Sequence, residues 1–179
     1  LTILLVPRIS ETAAATQIEA MNLPPLRFSQ LARTASADNS MPLDRQFRTL
    51  VCPYDLSSSS IAISAPMGRQ LWTLAIFNNE SRNVYSLNDR LTASASLELV
   101  LVNNAQLARL REIGAQELEK RIVVELESDE GFALFRVFAG SDQQADDIQR
   151  FASALQCTIF TPNPGTLRQV TSEEDDNRV

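Results

Sequence analysis

The chain has 179 residues, is 44% hydrophobic, contains five glycines and eight prolines, and carries a formal charge of −6 with no histidine. Those values fit one domain with a real apolar core and exclude a fibrous or low-complexity chain. The absence of histidine removes the Ser-His-Asp triad, the Cys-His dyad, a histidine base and histidine-ligated zinc, and one lysine (Lys120) among scattered arginines is too little cation to hold nucleic-acid phosphates.

Leu1-Thr2-Ile3-Leu4-Leu5-Val6 is an apolar run ended by Pro7. Six helical residues cover about 9 Å, against a hydrocarbon core of about 30 Å. Leu1, Ile3, Leu4, Leu5 and Val6 are therefore read as the last turns of a longer membrane anchor, with residues 1–9 as its end. Ser10 can cap a helix running to Met21, and Glu11 suits its positive first turn. Pro24-Pro25 stops it. From 22 to 44 no period persists, so 10–45 reads as a short helix followed by a surface connector.

The core is expected over 46–161. Thr49 to Leu56 reads as a strand, followed by Ser57-Ser58-Ser59-Ser60 and the alternating Ile61, Ile63, Ala65. Two strands joined by about four polar residues predict a hairpin. Gln70 to Phe77, Val84 to Leu87 and Ser96 to Val102 are further strands. Asn103 or Asn104 can cap a short helix carrying Leu107, Leu110 and Ile113, ended by Gly114. Arg121 to Leu126 and Phe132 to Phe138 are strands around the turn residues Glu127 to Gly131. Ser141 with Gln144 forms a capping box ahead of Ala145, Ile148, Phe151, Ala152 and Leu155, which share one helical face. Cys157 to Phe160 reads as a last strand, and 162–179, with Glu173 to Asp176, as an acidic tail. Short strands about ten residues apart predict antiparallel pairing. The expected fold is α+β: an antiparallel meander with two or three helices packed on it, preceded by the end of the anchor.

Cys52 and Cys157 lie far apart and form no CxxC pair. They read either as two buried thiols or as a disulfide closing a loop of roughly 100 residues, worth about 4 kcal/mol in the chain-entropy account. The second reading requires an oxidising compartment.

Tyr54-Asp55 and Asn88-Asp89-Arg90 are the most polar points inside apolar strand sequence. One reading gathers Tyr54, Asp55, Asp89 and Arg90 into a pocket for a sugar, a lipid headgroup or a peptide. The other has Asp55, Asn88 and Asp89 cap strand ends through nearby backbone N–H groups, with Arg90 pairing a carboxylate. Trp72 is either a stacking platform or, between Leu71, Leu74 and Ile76, a core residue. The carboxylates Asp129/Glu130 and Asp146/Asp147 sit in a turn and near a helix N-terminus, where solvation rather than acid–base chemistry is expected. No metal and no cofactor are expected.

Val51-Cys52-Pro53-Tyr54-Asp55-Leu56-Ser57, followed by Ala65-Pro66, Leu71-Trp72-Thr73-Leu74 and Asn83-Val84-Tyr85-Ser86-Leu87-Asn88-Asp89-Arg90, resembles domain-of-unknown-function family 1254. The resemblance is nearest to short, membrane-anchored alphaproteobacterial members with one N-terminal transmembrane helix, often encoded beside a protein of family 1214. The chain departs at Asn78-Asn79-Glu80-Ser81-Arg82, where the family has an Asn-Gly type of turn. The resemblance implies an inner-membrane anchor and a periplasm-facing domain, and carries no catalytic residues. Together these readings describe a non-enzymatic protein bound to another envelope or membrane protein as an accessory subunit, with a carbohydrate- or lipid-headgroup-binding module as the alternative.

Overall fold

Apolar residues alternate along most of the strand segments, and in several the opposite face is apolar too, so the chain needs a cover on both sides of its sheets. The computed structural model describes residues 16, 18–31, 46–66, 71–90, 96–113, 116–140 and 145–162. Nine strands, β1 (Ser29–Gln30), β2 (Phe47–Asp55), β3 (Ile61–Pro66), β4 (Trp72–Asn78), β5 (Asn83–Asn88), β6 (Ser96–Val102), β7 (Ile122–Glu125), β8 (Glu130–Phe138) and β9 (Gln156–Ile159), form two sheets among the described residues. A five-stranded sheet has the order β1-β2-β8-β4-β5, and a four-stranded sheet the order β7-β6-β3-β9. Two α-helices, α1 (Asn104–Glu112) and α2 (Ala145–Ala154), a 3₁₀ turn (Gln116–Lys120) and the helical residues Thr16 and 18–20 complete the described elements.

The α+β class holds, but the meander does not. Ser57–Ser60 carries the chain from the first sheet to the second instead of turning a hairpin, because β2 pairs with β8 and β3 with β6 and β9. Pairing is antiparallel except for β6 and β7, which run parallel, Leu99 opposite Ile122. Their connection is the helical crossover that parallel strands require. Within the segment read as a surface connector, Ser29–Gln30 adds an edge strand to β2. The sequence 1–9, most of the helix expected over 10–21, Gly114, the Ser141–Gln144 box and residues 163–179 lie outside the described residues. No described helix is long and apolar enough to cross a membrane.

The core lies between the sheets. Leu50, Cys52 and Tyr54 of β2, Ala133, Phe135 and Val137 of β8, and Trp72, Leu74 and Ile76 of β4 face Ile61, Ile63, Leu97, Leu99 and Leu101 of the other sheet. Ile148, Phe151 and Leu155 from α2 and its end close this layer, with the Phe151 and Phe135 rings 5.6 Å apart. Each such large side chain stabilises by about 1.5–3 kcal/mol when fully buried. The outer faces are covered separately. Leu107 and Leu110 of α1 pack on Val100 and Val102, and Ile18 and Leu31 pack on Val51 and Phe132.

Pro53 sits within β2 without breaking the ladder. Its carbonyl accepts from Leu26 N–H at 3.3 Å, on the β1 side. Its nitrogen, which has no hydrogen, faces the same side, beyond the last β1 pair at Val51, so no ladder bond is lost.

Cys52 and Cys157 form a disulfide between β2 and β9, one in each sheet, across a sequence separation of 105. Both are buried in the inter-sheet core.

Candidate functional site

The sequence candidates separate into two groups at opposite ends of the five-stranded sheet. In register, Tyr54 lies opposite Gly131, which lies opposite Asn78; Trp72 lies opposite Val137, which lies opposite Arg48. Six residues of β8 separate the two rows, about 20 Å at ~3.3 Å per residue. Tyr54 and Asp55 therefore do not meet Trp72, Asp89 and Arg90, and the pocket drawn from all of them does not form. Its residues share a sheet but not an end, because β4 and β2 both run antiparallel to β8.

At the second end, Trp72 is buried in the core, its ring centroid 5.1 Å from that of Phe135. It is a core residue rather than a stacking platform. Asn88 Oδ1 accepts from Arg90 N–H at 3.1 Å, and Asp89 N–H donates to Trp72 O at 3.2 Å. The polar triplet thus turns the chain at the end of β5.

At the first end, Tyr54 is buried against Gly131, and its hydroxyl reaches across β8 to donate to Phe77 O of β4 at 2.9 Å. A Cβ on Gly131 would lie 2.1 Å from Phe77 O and 2.5 Å from the Tyr54 hydroxyl oxygen, so only glycine leaves room for the ring. Burial pushes the Tyr54 phenol well above its ordinary range, which keeps it protonated. Asp55 is exposed and caps the strand: its Oδ1 accepts from Ser57 N–H at 2.8 Å. The Ser57 side chain and backbone N–H hold its carboxyl below the usual range.

Directly opposite Asp55 in register stands Glu130. A pocket of about 290 Å³ opens here, lined by Pro25, Pro53, Leu23 and Phe132 together with Tyr54, Asp55, Glu130, Glu19, Asn22 and Asn79. Glu19 carried no signal in the sequence, and Glu130 and Gly131 read there only as turn residues, since the segment 18–25 and the start of β8 meet β2 only in the fold. A second cleft, of about 610 Å³, runs between the β1 edge, α2 and β9; Arg27, Gln30, Gln149 and Gln156 line it above Phe28, Leu50 and Cys157.

The remaining polar residues do structural work. Asn103 caps α1 by accepting from Gln106 N–H at 2.9 Å, and Gln106 Oε1 accepts from Asn103 N–H at 3.1 Å. The Gln106 amide also donates to Leu56 O. Asp129 accepts from the Asn103 amide at 2.9 Å. Asp147 pairs with Arg150 on the exposed side of α2. Among the described residues no three His, Cys, Asp or Glu side chains cluster as metal ligands.

In overall shape the chain is similar to the VPA0106 protein from Vibrio parahaemolyticus: TM-score 0.58 at 12% identity, over 84% of this chain and 35% of that one. An uncharacterised protein from Burkholderia cenocepacia aligns with a TM-score of 0.46 at 8% identity, over 74% of this chain and 34% of that one. The chain thus spans about a third of the length of these solved structures. None of the curated proteins matches it. Residues 28–167 match the family described as "Protein of unknown function (DUF1254)", which takes in β1 to β9 and both helices, and the chain belongs to that family.

Proposed function

We infer that this chain is a non-enzymatic binding domain facing the periplasm, held at the inner membrane by an anchor whose last turns are the apolar run Leu1–Val6, and serving as an accessory subunit of a membrane complex. The observation that carries the reading is the Cys52–Cys157 bond between the two sheets. Such bonds persist in oxidising compartments and are rare in the cytosol. The apolar residues at Leu1, Ile3, Leu4, Leu5 and Val6 supply the membrane part of the argument. A protein subunit rather than a sugar or lipid headgroup is favoured because Tyr54 and Asp89, which the alternative needs together, stand at opposite ends of one sheet.

Two arms test this. A reporter fused after residue 162 should be active only if it functions outside the cytoplasm, and the protein should sediment with membranes. Affinity purification after gentle solubilisation and cross-linking should return a stoichiometric membrane-protein partner. A cytoplasmic reporter signal, or recovery as a free monomer after cross-linking, contradicts the reading.

A further inference from the structure

Among the described residues, β1 and β5 are the edges of the five-stranded sheet, and β7 and β9 those of the four-stranded one. A sheet edge offers unpaired N–H and C=O groups to any extended chain, and folded proteins blunt it by shortness, charge or a bulge. β1 has only two residues. β5 pairs with β4 through a bulge at Ile76/Phe77. β7 follows Arg121 and ends in Glu125. β9 is uncharged, and its pairing with β3 keeps one register from Gln156 opposite Ser64 to Ile159 opposite Ile61.

β9 also borders the cleft of about 610 Å³. Gln156, Cys157 and Thr158 line it in succession. Successive strand residues point to opposite faces, and Cys157 is buried in the core whereas Gln156 and Thr158 are exposed. A wall made by all three is a wall of main chain, the free edge of β9. Gln30 and Gln149 set amide groups on other walls, each able to donate and to accept. The lining holds no carboxylate and one cation, Arg27, which is exposed and forms no ion pair among the described residues. In a chain of net charge −6 this is a place that attracts a carboxylate rather than repelling it. A main-chain edge is matched group for group by another main chain, added as one more strand.

We propose that the partner subunit contributes an extended strand that adds to the free edge of β9 in this cleft, with an acidic side chain of that strand on Arg27. The inference deepens the subunit reading and rests on it for the source of the strand.

The test uses the full chain with the disulfide intact, titrated at low salt with a capped Thr-Val-Thr-Asp-Thr-Val-Thr peptide, with the same peptide carrying Lys in place of Asp, and with the Asp peptide N-methylated throughout. Binding is followed by amide NMR shifts and hydrogen exchange. Saturable binding of the Asp peptide is expected, with shifts and slowed exchange at Gln156–Ile159 and none at Asn83–Asn88. The methylated peptide should bind roughly ten-fold more weakly and the Lys peptide roughly five-fold more weakly, for want of main-chain donors and of the charge pair respectively. Arg27→Gln, at an exposed position, should bring the Asp and Lys peptides within about two-fold of each other. Absence of saturable binding of the Asp peptide overturns the proposal, as does equal binding of the methylated peptide, shifts at β5 in place of β9, or an undiminished preference for the Asp peptide in Arg27→Gln. A membrane partner recovered by cross-linking, with no peptide binding at β9, overturns this docking surface and leaves the subunit reading intact. Peptide binding by a chain recovered only as a free monomer supports the β9 surface and contradicts the subunit reading instead.

Discussion

Tyr54 owes its position to a residue it does not bond. Gly131 leaves the space over β8 into which the ring lies, and the hydroxyl then reaches the Phe77 carbonyl two strands away. The contact closes one end of β2, β8 and β4 as a unit. Gly131→Ala would drive a methyl group into the Phe77 carbonyl oxygen and the tyrosine ring. Overpacking of this kind costs about 1–3 kcal/mol, to be read as a lower urea midpoint at unchanged slope. Tyr54→Phe removes only the hydroxyl, and the unmade bond costs about 1 kcal/mol. The same variant has a pH signature. The folded phenol ionises above its unfolded value of about 10, so its stabilising contribution is full below that pH and is lost as pH rises toward the folded value. Urea midpoints measured from neutral pH upward should therefore fall less steeply above about pH 10 in Tyr54→Phe than in the parent. Asp55 has the opposite sign. Its carboxyl is held low, so the stability it contributes is present above its unfolded value of about 4 and is lost as pH falls below it.

The helix that crosses from β6 to β7 is anchored by its first residues. Asn103 and Gln106 satisfy each other's backbone N–H groups, and the same glutamine amide bonds the carbonyl of Leu56 where the chain leaves the first sheet. Asn103→Ala therefore removes a cap and the amide bond to Asp129 together. A loss of about 1–2 kcal/mol is expected, at the upper end of the range for caps, measured by thermal or urea unfolding. The elements themselves were readable in the sequence. Ile61, Ile63 and Ala65 alternate, and β6 spans the same Ser96–Val102 that its apolar residues mark. Which strands pair was not readable. Alternation assigns faces to a strand but does not name its neighbour, and four serines serve equally as a hairpin or as an arch between sheets. Ser29–Gln30 is too short to show a period at all. The site was legible to the same degree. Tyr54 and Asp55 stand out as polar residues beside Leu56, whereas Glu19 and Glu130 reach them only through packing of the segment 18–25 and the β2–β8 register.

The two sheets pack through side chains and are cross-linked by one disulfide among the described residues, Cys52 to Cys157. A bond across a separation of 105 residues restricts the unfolded chain strongly, by about 4–5 kcal/mol in the chain-entropy account. Replacing both cysteines by alanine should lower stability by about 2–5 kcal/mol while leaving the apolar core in place, and a circular dichroism melt with and without reductant should show the same loss in the parent protein. The bond also supports the proposed periplasmic location, because such bonds persist in oxidising compartments and are rare in the cytosol. The most direct measurement is the intact mass and thiol content of the protein isolated from its native cell without reductant, with free thiols trapped by alkylation at lysis. The account predicts a mass two hydrogens below that of the reduced chain and no alkylated cysteine. Two alkylated cysteines in the native protein would contradict it.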